Sequence, residues 1–232
     1  NVTAAELEAV RAAEAALATE PNFTRLLPAR PDEEIPAGNT WTVQATVYGA
    51  RVYGDLMNNR QTLSFVRLAR VIDQLAREVL DAGASSEYAR ALSGYAAAVM
   101  ARKLRRATRG CTLDTGRAGV HDIFATESSL NFSFDYFEVG IGGGPGSWGS
   151  VAAGTLRSLE VVIPPTSSPV PVSVTRGTAT SLPFADGALS AVVTDPPYDA
   201  MIDYSDASDL FYVWLKRALV STWPEIAITS HA

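Results

Sequence analysis

Between Asn59 and Gly83 the apolar residues Leu63, Val66, Ala69, Ile72, Leu75 and Val79 return every three or four positions. That spacing places them on one face of a helix, and Gly83 stands where a left-handed turn would end it. A second helix is predicted over Ser85–Arg106, with a serine to cap its start and a basic run at its end to suit the helix dipole. The Ala- and Glu-rich stretch of residues 3–19 reads as another, because Thr3 and Glu6 have the spacing of a capping box. Shorter helices are expected near Val151–Leu159 and over Ser205–Leu219.

Elsewhere the pattern shortens. Thr40–Gly54, rich in Val, Thr and Tyr, suggests a strand or hairpin after the loop Pro28–Thr40, and SLNFSFDYFEVG (Ser129–Gly140) an aromatic strand. The glycine loop GIGGGPGSWGS follows it. A Pro/Ser linker, Pro164–Pro171, then separates the mostly helical part from a different rhythm: VSVT, RGTATSLPFADG, the unbroken apolar run ALSAVV (Ala188–Val193), and an exit through DPPY. Apolar strands alternating with loops and a helix indicate a parallel sheet covered by helices. The expectation is an α/β chain with a large helical portion, residues 1–163, and a sheet-bearing portion, residues 164–232.

Composition narrows the function. With 47% hydrophobic and 19% charged residues the chain is globular in character, and no apolar run approaches the ~18 residues of a membrane span. The expectation is a soluble protein with no membrane partner. Cys111 stands alone, which excludes an internal disulfide and suits a reducing cytoplasm; with only His121 and His231 beside it, no Cys/His zinc site can form within the chain. A net charge of −6 argues against coating nucleic acid by bulk electrostatics, so such contact needs a local basic patch. Arg102, Lys103, Arg105 and Arg106, with Arg109 beyond them, form the dense basic run. Its ordinary reading is a solvated helix end, and its functional reading is a contact to phosphates. The chain does not begin with Met, and is expected to be a processed product or a piece of something longer.

The strand exit carries the chemistry. Two prolines cannot continue a sheet ladder, and Pro196 biases Asp195 towards an extended backbone. Open parallel sheets bind ligands outside the carboxyl ends of their strands. Asp195, Pro196, Pro197 and Tyr198 then offer a carboxylate, an uncommitted carbonyl and an aromatic ring to one small space. The first two can accept both N–H bonds of an exocyclic amine while the ring stacks on the base. Such bonds favour charge growing on the nitrogen as it attacks an electrophile.

These residues, with their flanks, resemble the catalytic region of DNA amino-methyltransferases. The segment LPFADGALSAVVTDPPYDAMIDYSDASDLFYVWLKRAL is most similar to that of the large bacterial and archaeal adenine-specific DNA methylases. YGDLMNNRQTLSFVRLARVIDQL (Tyr53–Leu75) is similar to that family's Gly-Asp-Leu…Arg-Gln helix start, and FDYFEV with its glycine loop and Trp148 to another of its segments. The resemblance implies part of a Rossmann-like class I methyltransferase sheet, with S-adenosyl-L-methionine as methyl donor and DNA as partner. It implies that Asp195, Pro196 and Tyr198 hold the target amine, that Pro197 shapes the loop, and that Thr178, Ala179 and Phe184 wall the cofactor's adenine. An Asp that many members carry near Thr178 is absent, as are the family's Asp-Pro-Phe-x-Gly-x-Gly cofactor turn and its zinc ribbon. GIGGGPG is a weak substitute for that turn.

The expected reaction is methylation of adenine N6. Cytosine N4 and guanine N2 of RNA are alternatives, because DPPY-like exits serve all three amines. The rival class is a non-catalytic remnant that binds nucleic acid, a partner protein or the remainder of a longer methyltransferase. Asp199, Asp203, Asp206 and Asp209 fail the spacing of a calcium loop, so no metal is expected. Asp206 suits the first turn of the following helix, Phe211, Tyr212 and Trp214 suit packing, and His121 a structural place.

Overall fold

The computed structural model describes residues 3–38, 40–125, 129–162, 173–175, 177–196, 198 and 203–228. Helices dominate them: α1 (Ala4–Thr19), α2 (Asn59–Asp81), α3 (Ser86–Leu104), α4 (Trp148–Val162), α5 (Tyr204–Ala218) and the short α6 (Pro224–Ile228). The starts of the first three follow local chemistry. Thr3 and Glu6 form the capping box of α1, Asn58 and Gln61 form that of α2, and the Ser85 side chain accepts the Tyr88 N–H of α3. Gly83, at φ +91°, closes α2 as its missing Cβ allows.

The expected Rossmann-like α/β sheet is not what forms. Among the described residues the only sheet is an antiparallel pair, β1 (Thr112–Asp114) with β2 (Gly119–His121), in the register Thr112 to His121 and Asp114 to Gly119. Nothing in the apolar pattern marked this hairpin. Its turn rests on Asp114, whose carboxylate accepts the backbone N–H groups of Gly116 and Arg117. The described part of VSVT and the whole of ALSAVV carry no strand. The Thr40–Gly54 region folds instead as two 3-10 turns, Gln44–Tyr48 and Tyr53–Leu56. The aromatic stretch Ser129–Gly140 is irregular, touching Val43 through a single parallel bridge at Leu130. The physical reason is common to all these segments: an extended run becomes a strand only where a second run supplies its hydrogen-bonding partners.

The core is built on α2, which packs against α1, α3 and α5, while α3 also meets α4. The buried face of α2 is Phe65, Val66, Ala69, Ile72 and Ala76; Leu63, Leu75 and Val79 sit at its half-buried margins. Phe65 meets Trp214 of α5 with ring centroids 5.4 Å apart, and Met100 and Leu104 of α3 share that core. The helix beyond the Pro/Ser linker is therefore part of the same core as those before it. The linker itself, Pro164–Pro171, lies outside the described residues.

Two buried polar groups fix how α5 sits. Arg217, fully buried, donates to the Pro28 carbonyl (2.9 Å) and to Glu33 (2.8 Å), and Lys216 reaches the same carboxylate at 2.8 Å. Burial pushes the Glu33 carboxyl up, but the bonds from Arg217 and Lys216 outweigh it and leave the group below the usual range. At the other side Asp73 of α2, buried, accepts the N–H and hydroxyl of Ser221, both at 3.0 Å.

Candidate functional site

Stretches distant in sequence meet at the start of α2 and along the chain leading into it. Asn58 caps that helix and also donates to the Tyr136 hydroxyl (2.8 Å) and to Glu138 (2.5 Å), while Arg60 pairs with Glu138 at 2.6 Å. The YGDLMNNRQ and FDYFEV segments are thus in direct contact. Gly54 lies against the Pro31 carbonyl, in a space that any Cβ would fill. Tyr53, buried, donates its hydroxyl to the Asp206 carbonyl (2.9 Å), and the Thr42 hydroxyl donates to Asp203 (3.2 Å). The α5 end of the segment that carries DPPY is therefore tied to the body.

The motif itself stands in the open. Asp195, Pro196 and Tyr198 are exposed, Tyr198 at 60%; Pro197 and Asp199 lie outside the described residues. Ala188–Val193, expected to be a buried strand, is instead irregular and exposed, preceded by a turn in which Ala188 donates to Ala185 with Gly187 at φ +72°. The residues assigned to the cofactor wall are also exposed: Thr178 forms an isolated bridge with Ser181, Ala179 follows in the turn, and Phe184 is 55% exposed. Among the described residues Thr178, Ala179 and Phe184 thus enclose nothing of the size of S-adenosyl-L-methionine.

A cavity is built elsewhere from the basic run. Arg102 and Arg106 line a cleft of about 600 Å³ together with Arg117 of the hairpin turn, Arg157 of α4 and His121. Its size falls in the range of ordinary ligand sites. The floor is the glycine loop at Pro145–Gly146, with Gly146 at φ +76°. Arg102 is held by the Thr155 hydroxyl at 3.0 Å. The acids at the rim are engaged: Asp122 pairs with Arg105 at 2.7 Å, and Asp114 lies 3.8 Å from His121. The cleft therefore presents cationic donors suited to phosphate oxygens.

The predicted basic group divides accordingly. Arg102 and Arg106 face the cleft, Arg105 is spent on Asp122, and Lys103 turns into the body, 1% exposed, donating to the Val139 carbonyl at 3.0 Å. Arg117 and Arg157 were missed by sequence reasoning. The DTGRAG turn was a usable hairpin signal for Arg117, but no local pattern aims Arg157 at Arg102.

Other groups have structural places. Trp214 is buried at the Phe65 contact, Phe211 stacks on Phe124 at 5.9 Å, and Tyr212 donates to the Ile226 carbonyl. Asp206 is in the first turn of α5. Cys111 is buried, and burial pushes its thiol up. No group of three metal-ligating side chains occurs among the described residues, and no described helix is long and apolar enough to cross a membrane. Comparison of the chain with family models, curated proteins and solved structures gives no match.

Proposed function

We propose that this chain carries the amine-holding loop of an S-adenosyl-L-methionine-dependent methyltransferase acting on adenine N6 in DNA. Asp195 and the Pro196 carbonyl accept the two N–H bonds of the amine, and Tyr198 stacks on the extruded base. The observation that carries the reading is the DPPY motif behind ALSAVV, supported by its surroundings. Its downstream end is held by Tyr53 and Thr42, and the other stretches that share the resemblance converge on the same helix start. The donor pocket and the second wall around the base belong to the remainder of a longer methyltransferase that covers the exposed run.

The test is transfer of a labelled methyl group from S-adenosyl-L-methionine to oligonucleotides by the longer methyltransferase that includes this chain. Adenine-containing DNA is the expected acceptor, and cytosine DNA and guanine RNA probe the alternative amines. Asp195→Ala is expected to lower transfer by about 100-fold or more, as loss of charge stabilisation at the amine requires. Transfer undiminished in that variant overturns the role.

The arginine cleft favours a second reading, a nucleic-acid-binding module without transfer. In that case binding without methylation is observed, and each of Arg102→Ala, Arg106→Ala, Arg117→Ala and Arg157→Ala weakens it. Each also reduces the slope of log affinity against log salt by up to about one. Affinity unaltered in all four overturns the phosphate role.

A further inference from the structure

A second, smaller cavity of about 210 Å³ lies between the start of α2, the end of α3 and the chain at Glu138–Ile141. Its lining includes Gln61, Lys103, Phe65, Ala107 and Ile141, with Arg60 and Glu138 also contributing. The polar groups there are out of balance. Gln61 is 5% exposed; its Oε1 accepts the Asn58 N–H at 2.9 Å, which fixes the amide orientation, and its buried Nε2 has no partner. Lys103, 1% exposed, donates to the Val139 carbonyl and makes no ion pair among the described residues. The carboxylate that lines the cavity, Glu138, is committed to Arg60 and Asn58.

Buried donors without acceptors cost about 1–3 kcal/mol each, more when charged, so a native structure is expected to satisfy them. Both of these are donors, so what completes the site is an acceptor. One of them is a cation without a counter-ion, so the acceptor is an anion. Phe65, Ala107 and Ile141 supply apolar wall, and the volume lies below the ~300–1,000 Å³ of drug-sized sites. The geometry points to a binding site for a small aliphatic monocarboxylate, its oxygens on Lys103 Nζ and Gln61 Nε2 and its short tail against Phe65 and Ile141. This site is separate from the arginine cleft and does not depend on the methyltransferase reading.

Charge on Lys103 gives the site a pH signature. Burial brings its ammonium down to about 8, partly opposed by Cys111, with Arg60 and Glu138 the other charged groups lining the cavity. Carboxylate affinity therefore falls as pH rises through about 8.

The experiment is calorimetric titration of the whole chain with butyrate, and with inorganic phosphate as the competing anion. Saturable butyrate binding in the millimolar range or tighter is expected, weaker at pH 9 than at pH 7. Lys103→Met keeps the length and apolar stem of the side chain and is expected to abolish binding. Gln61→Glu retains the acceptor for the Asn58 N–H, opposes an anion, and is expected to weaken binding at least tenfold; a melting curve on each variant confirms folding. Absence of butyrate saturation, preference for phosphate, or binding indifferent to both substitutions overturns the site.

Discussion

The helical body and the segment 173–198 are both apolar in sequence, and they meet opposite fates. In the body Phe65 and Trp214 are 1% exposed and Val66 and Val213 fully buried; in the segment Val174 and Val193 are 94% and 95% exposed. A helix satisfies its backbone internally, so α2 and α5 bring finished faces to one another. An extended run has no such independence. ALSAVV offers alternate backbone groups and side chains that only a neighbouring strand can use. Hydrophobicity selects what is to be buried, and hydrogen bonding determines which segments can do so within this chain.

The largest expected contrast is between one residue from each region. Trp214→Ala empties the centre of the core and is expected to cost about 3–5 kcal/mol in denaturant unfolding, whereas Val193→Asp is expected to change stability by less than about 0.5 kcal/mol. Comparable losses from the two would show the segment to be packed in solution and end the distinction.

Next comes the buried ion cluster. Glu33→Gln leaves Arg217 and Lys216 without their counter-charge and is expected to cost about 3–5 kcal/mol at pH 7. Because the folded-state carboxyl lies below its unfolded value, its stabilisation is fully present above about pH 5. It is lost as pH falls through the folded value. The gap between wild type and variant should therefore narrow as pH falls from the unfolded value through the lower folded one, which urea unfolding across pH measures directly.

The smallest effect sits in the hairpin. Ala118 has φ +48°, a left-handed conformation that costs a residue with a Cβ about 1 kcal/mol, so Ala118→Gly is expected to be neutral to slightly stabilising. Destabilisation by 1 kcal/mol or more, read from the shift in melting temperature, would mean that the turn is held by packing.

Legibility in the sequence followed the range of the interactions. Thr3 with Glu6, Ser85 and Gly83 act within a few residues, and the helix limits they announce agree with the structure. The centre of the α2 face, Val66, Ala69 and Ile72, agrees with the structure, whereas at its ends Thr62, Phe65, Asp73 and Ala76 are buried in place of Leu63, Leu75 and Val79, by partners elsewhere in the chain. At the candidate site, the DPPY residues were visible as a motif, but nothing local indicated whether ALSAVV would be covered. Lys103 reads as one charge of a basic run, and only its helical phase turns it away from Arg102 and Arg106 into the body.

The sequence by itself determined α1, α2 and α3 with the caps at Thr3 and Ser85, and the approximate places of α4 and α5. Tertiary structure alone decided that Arg117 and Arg157 join Arg102 in one cleft, that Glu33 neutralises Arg217, and that Gln61 and Lys103 face a common cavity. Local hydrogen bonds are encoded a few residues apart, whereas the burial and pairing of a charge depend on side chains brought together from distant parts of the chain.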